Sequence, residues 1–97
     1  MGVMVMLTWV FAYDVPCDYR RQKIAKAIRK EGLPVQKSVL LVQATVSEVR
    51  ALADSLGRIM DRTTDRIIAI PLRSDWQNAQ ICFPEAASPI AIPFVIA

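Results

Sequence analysis

The chain is 97 residues long and 54% apolar, with two cysteines, no histidine and a formal net charge of +3. That length supports one small domain with one core, and the apolar content excludes a disordered chain. Without histidine there is no Ser-His-Asp or Cys-His nucleophile and no histidine base, and two cysteines without a CxxC spacing give no zinc pattern. Any chemistry must run on carboxylates, hydroxyls, lysine, arginine or a metal.

The opening run, Val3 to Tyr13, is rich in Val, Thr, Trp, Phe and Tyr and reads as a strand. It is about half the ~20 residues a membrane-spanning helix needs and lacks the charged leader of a signal peptide. No membrane anchor is expected, and a cytoplasmic protein is. Both alternating sets of this strand are apolar, which predicts a central strand covered on two faces, one by helices and one by a second subunit. Asp14 closes the strand and Pro16 breaks it. Asp18 is the expected N-cap of a helix running to about Glu31, with Ile24, Ala25, Ala27 and Ile28 as its apolar stripe and Gly32 as its C′ residue.

Charge is concentrated here. Seven cations (Arg20, Arg21, Lys23, Lys26, Arg29, Lys30, Lys37) stand between positions 20 and 37 against one acid, Glu31, leaving five cations and eight acids elsewhere. A local excess of this kind is either a solvated helix face or the footprint of a polyanion-binding surface. Arg20 and Arg21 fall in the first helical turn, where the dipole disfavours cations. That position points to a salt bridge with Asp14 or Asp18, or to an external phosphate.

From Pro34 to Ala44 the chain is extended, with Gln36-Lys37-Ser38 dividing two short strands. Thr45 and Glu48 form a capping-box pattern ahead of an amphipathic helix whose apolar stripe is Val46, Val49, Leu52, Ala53, Leu56, Ile59 and Met60. Arg62 to Asp65 is a polar connection, and Ile67 to Leu72 a further strand whose Pro71 marks an edge or terminus. Gln80 to Phe83 and Ile90 to Ile96 are weaker strand candidates in an apolar tail expected to pack on its own sheet or on a partner. The order strand, helix, strand, strand, helix, strand predicts an α+β, ferredoxin-like βαββαβ sandwich over 1–75, with an extra C-terminal strand in an extension over 76–97. Cys17 and Cys82 are expected to be free thiols.

The succession of an apolar strand ending in Tyr13-Asp14, Asp-x-Arg-Arg-x-Lys-Ile-Ala-Lys from Asp18, Gly-x-x-Val-Gln-Lys-Ser-Val from Gly32 and a closing IIAIPL strand from Ile67 resembles the CRISPR-associated endoribonuclease family, the non-integrase partner of the CRISPR integrase. The resemblance covers roughly Val5 to Leu72. It implies a ferredoxin-like homodimer that bridges integrase dimers in the spacer-acquisition complex of antiviral defence and holds an incoming double-stranded DNA by its backbone. It also implies an alternative activity, Mg²⁺-dependent cleavage of RNA or DNA. By resemblance Asp14 is the catalytic and metal-binding carboxylate and Arg20 and Arg21 contact phosphate; the local charge excess adds Lys23 and Lys37 as expected nucleic-acid contacts. Tyr13, Asp18 and Ser38 support the motif. Two departures stand out: Leu40 and Leu41 follow Ser-Val where the family commonly has Phe and an acid, and the tail after Trp76 matches no family pattern. One carboxylate per chain makes a poor nuclease site, so cleavage would need two Asp14 side chains brought together across a twofold axis, with a cation between them. Otherwise Asp14 is a turn residue.

Overall fold

The computed structural model describes residues 5–80. Six elements follow one another: β1 (Leu7–Asp14), α1 (Asp18–Arg29), β2 (Gly32–Gln36), β3 (Val39–Ala44), α2 (Val46–Ile59) and β4 (Arg66–Pro71), with a single 3₁₀ turn at Trp76–Ala79. The sheet order is β2-β3-β1-β4, every neighbouring pair antiparallel. This is the ferredoxin-like arrangement the periodicities predict.

The core lies on one face of the sheet. Trp9, Phe11 and Tyr13 of β1 and Leu40, Val42 and Ala44 of β3 meet Ile24, Ala25 and Ile28 of α1 and Val49 and Leu56 of α2. The Trp9 indole donates to the Ala44 carbonyl at 3.0 Å, so its polar atom is satisfied inside the core. Opposite lie Val10, Ala12, Val39 and Leu41, with Leu33, Ile68 and Ile70 at 43, 55 and 52% exposure. Both faces of β1 are therefore apolar, and among the described elements only one is covered by helices.

Local chemistry explains the boundaries. Thr45 caps α2, accepting from the Glu48 amide at 3.2 Å while the Glu48 carboxylate accepts from the Thr45 amide at 2.9 Å; a cap of this kind contributes about 1 kcal/mol. Of the α2 stripe, Val49 and Leu56 are buried and Leu52, Ile59 and Met60 half-buried, whereas Val46 and Ala53 are exposed. The extended segment splits at Lys37-Ser38, as the polar triplet predicts.

Three expectations are corrected. β1 begins at Leu7, so Val5 and Met6 lie outside it. Cys17, not Asp18, is the N-cap of α1, and Asp18 is the first helical residue, where its charge suits the dipole. Gly32 is not a C′ residue but opens β2. A Cβ there would stand 2.5 Å from the Leu41 carbonyl oxygen and 2.8 Å from Val42 Cγ2, so close strand approach, not a left-handed turn, requires the glycine.

β4 forms one sheet edge, with Pro71 at its end. Trp76 packs back as a buried side chain. The candidate strands in the tail, beyond Gln80 itself, and Cys82 lie outside the described residues. No helix among the described residues is long and apolar enough to cross a membrane.

Candidate functional site

A groove of about 840 Å³ opens where the end of β1, the length of α1 and the β2–β3 turn converge. Three elements furnish it. Tyr13, Asp14, Val15 and Pro16 come from β1 and the turn after it; Arg21, Gln22, Ala25, Lys26 and Arg29 come from α1; Lys37 and Ser38 come from the hairpin. The helical set repeats at three- and four-residue spacing, which puts Gln22, Lys26 and Arg29 on one face. Four cations thus line one concave surface together with a single carboxylate, Asp14. Alternation along β1 puts Asp14 with Val10 and Ala12 on the side turned away from the helices, and it is exposed. It stands where the groove meets the sheet face that no described helix covers.

The turn carrying Lys37 is fixed from β1. The Tyr13 hydroxyl donates to the Lys37 carbonyl at 3.0 Å, and the Tyr13 amide to the Ser38 carbonyl at 3.1 Å. Ser38 is half-buried and lines the groove beside this contact.

The two consecutive arginines divide their work. Arg21 donates from Nη1 to the Val15 carbonyl at 3.0 Å and from Nη2 to the Asp18 carboxylate, so it braces the β1–α1 turn while lining the groove. Arg20 points elsewhere and does not line the groove. It donates to Asp65 through Nε at 2.8 Å and Nη2 at 3.2 Å, and to the Thr64 hydroxyl at 3.3 Å. Asp65 is only 4% exposed and also accepts from the Asp61 amide at 2.8 Å and the Thr64 hydroxyl at 3.0 Å. The Arg20 hydrogen bond lowers the Asp65 carboxyl to about 2, against the opposing effect of burial. The same bond raises the Arg20 guanidinium. Hydrogen bonds from Thr63 hold Asp61 low. Sequence reasoning anticipates the Arg21–Asp18 pair but misses Asp65: it reads as one more polar residue in a connection, 45 positions from Arg20.

Lys23 is also outside the groove; its ammonium lies 5.0 Å from the centre of the exposed Tyr19 ring. Conversely Lys26 and Arg29 belong to the groove, although charge alone does not separate them from Lys23 and Lys30.

A family model described as CRISPR associated protein Cas2 matches residues 6–80, more than half of the chain. The chain belongs to the Cas2 family. Two curated relatives are each 34% identical to this Cas2-family chain. One, from Rhodospirillum rubrum, is aligned over 73% of the chain and 57% of its own length; the other, from a Synechocystis species, over 69% and 73%. Both are called CRISPR-associated endoribonuclease Cas2. The chain thus spans a little over half of the first relative. Among solved structures, Streptococcus pyogenes Cas2 superposes with a TM-score of 0.73 at 27% identity, covering 79% of this chain and 99% of that one. A chain from a partial Cas6-RT-Cas1–Cas2 complex superposes at 0.70 with 25% identity, covering 91% and 99%.

One chain alone supplies few of the oxygen ligands that a divalent cation takes. Mg²⁺ takes oxygen ligands, usually including one or two carboxylates. Here Asp14 is the groove's one carboxylate, with four cations along the same surface. Among the described residues, no three His, Cys, Asp or Glu side chains gather as a metal-holding group. The residues present suit an anion better than a cation.

Proposed function

We propose that this Cas2-family chain is the dimeric nucleic-acid-binding subunit of a spacer-acquisition complex, holding double-stranded DNA by its backbone between copies of a Cas1-type integrase. The groove with Arg21, Lys26, Arg29 and Lys37 on three converging elements carries this reading. Lysine and arginine on a concave surface neutralise phosphates whatever the base sequence, so binding weakens steeply with salt. The superposition on a chain from a Cas1–Cas2 complex supports the integrase partner. The apolar sheet face that no described helix covers, with Leu33, Ile68 and Ile70 exposed, supports a second copy as the other partner.

The names of the curated relatives favour a second reading, metal-dependent endonuclease activity on RNA or DNA. It would require two Asp14 carboxylates, one from each copy of a dimer. Duplex binding across a salt series, with cleavage assayed in parallel, separates the readings. A dimer that binds DNA with a steep salt dependence and cuts nothing supports the scaffold. No duplex binding, together with Mg²⁺-dependent RNA cleavage lost in Asp14→Ala, overturns it.

A further inference from the structure

α1 carries a third side, turned away from the core and meeting the groove only at Lys26. Tyr19, Lys23, Lys26 and the C-cap Lys30 follow one another at four-, three- and four-residue spacing, which puts them on one stripe of the helix. At 1.5 Å per residue the stripe is about 16 Å long. Ile24 and Ile28, fully buried, fall on the opposite side, and all four stripe residues are exposed. Tyr19, at 69% exposure, is the most exposed large hydrophobic side chain among the described residues. The Lys23 ammonium lies 5.0 Å from the centre of its ring. Among the described residues Tyr19 has no other partner, and Lys26 and Lys30 enter no ion pair. The stripe contains no acid, and the nearby Asp18 is engaged by Arg21.

We propose that this stripe binds single-stranded nucleic acid, the Tyr19 ring stacking on an unpaired base while Lys23, Lys26 and Lys30 hold phosphates along the strand. The inference rests on the nucleic-acid reading of the chain and extends it from a duplex in the groove to an unpaired strand beside it. A tyrosine and a lysine four residues apart are ordinary neighbours on a helix and by themselves imply no ligand. Two observations set this pair apart. The charge continues, because two further lysines stand in line with no acid between them, so a polyanion is attracted along the whole stripe. The stripe is also continuous with the groove, because Lys26 belongs to both. The ring decides which polyanion fits. A duplex keeps its bases stacked inside and has no use for an exposed aromatic, whereas an unpaired base offers a free face of its own. Lys23 covers one face of the ring and leaves the other for that base. The lysines supply the salt-sensitive, sequence-independent part of the binding, and Tyr19 supplies the preference for a single strand.

The test measures binding of the full chain to a short oligothymidylate and, separately, to a blunt duplex. It compares the wild type with Tyr19→Ala, Tyr19→Leu and Tyr19→Phe, and with Lys23→Ala and Lys30→Ala combined. Tyr19→Ala and Tyr19→Leu are each expected to lose about tenfold in oligothymidylate affinity, the effect of one base–aromatic stack. Tyr19→Phe is expected to bind as the wild type does, and none of the three to change duplex affinity. The combined lysine variant is expected to reduce the single-strand slope of log affinity against log salt by about 1.4. An oligothymidylate affinity unchanged in Tyr19→Ala overturns the proposal. So does a Tyr19→Leu that binds like Tyr19→Phe, since apolar bulk and not a ring would then suffice. Tyr19 is exposed, so its variants are expected to fold, and a thermal melt verifies it; the leucine–phenylalanine comparison keeps the ring on trial if the alanine variant fails. A wild type that binds the oligothymidylate through Tyr19 but not the duplex overturns the proposed duplex function and leaves this inference standing. A wild type that binds the duplex, with no effect of Tyr19 on the single strand, does the reverse.

Discussion

Arg20 and Arg21 are adjacent in the chain, of one residue type, in the first turn of one helix, yet they serve different regions. Arg20 ends in a closed knot with Asp65, Thr64 and Asp61, where the carboxylate is buried and its hydrogen bonds are made within the protein. Arg21 ends in an open groove, with part of its fork bracing the turn after β1 and a half-exposed side chain beside Lys26, Arg29 and Lys37. What separates the two arginines is the saturation of their partners, not their sequence position. The knot anchors α1 to the α2–β4 connection, and the groove uses the helix so anchored.

The sharpest way to break this contrast is to open the knot. Asp65→Ala leaves Arg20 facing a cavity that held its partner, and its thermal midpoint is expected to fall further than that of any groove variant. Acid tests the same contact. The Asp65 pKa is about 2 in the folded state, below its ordinary value of 3.8. The stabilisation is therefore complete above about pH 4 and is lost as pH falls towards 2. Chemical denaturation between pH 5 and 2 is expected to show this loss in the wild type and a flatter curve in Asp65→Asn.

Next in size is the opposite lesion. Lys26→Ala, Arg29→Ala and Lys37→Ala combined are expected to leave the melt within roughly 0.5 kcal/mol per site, as for surface substitutions generally. In duplex binding, the slope of log affinity against log salt is expected to shrink by about three, one per phosphate contact. An unchanged slope would remove the groove from nucleic-acid binding.

Tyr13→Phe falls between the regions, because it deletes only the hydroxyl that holds the Lys37 carbonyl. A loss of about 1 kcal/mol in stability is expected, with a weaker duplex affinity at unchanged salt slope. The smallest effect is expected at Lys23→Ala: its ammonium stacks on Tyr19 away from the groove, and the salt slope should change less than in Lys26→Ala.

How far the sequence carries this contrast depends on the range of the contact. The Thr45–Glu48 box, the Lys37-Ser38 break and the alternation of β1 rest on neighbours within a few residues, and periodicity finds them. Asp18 is misplaced by one position because an acid suits both the cap and the first turn of a helix. Gly32 is misread because a glycine after a helix signals a C′ residue unless one knows that β3 will pass close by. Asp65 is illegible for the same reason: Arg20, its partner, becomes a neighbour only after β4 has paired with β1. The groove is half legible: the basic segment stands out, but which cations face inward depends on where α1 docks.

The two-residue turn between β2 and β3 has a consequence for how quickly a ligand can be captured. Tyr13 holds the carbonyls of both Lys37 and Ser38, so the turn's backbone is ordered when the protein folds. Ordering a loose turn on contact would cost about 1–2 kcal/mol per residue of backbone entropy. Here only the rotamers of Lys37 are left to settle, at about 0.5–1.5 kcal/mol. The hairpin therefore presents the Lys37 charge from a rigid mount, and under the proposed function an arriving nucleic-acid backbone would find the turn already ordered.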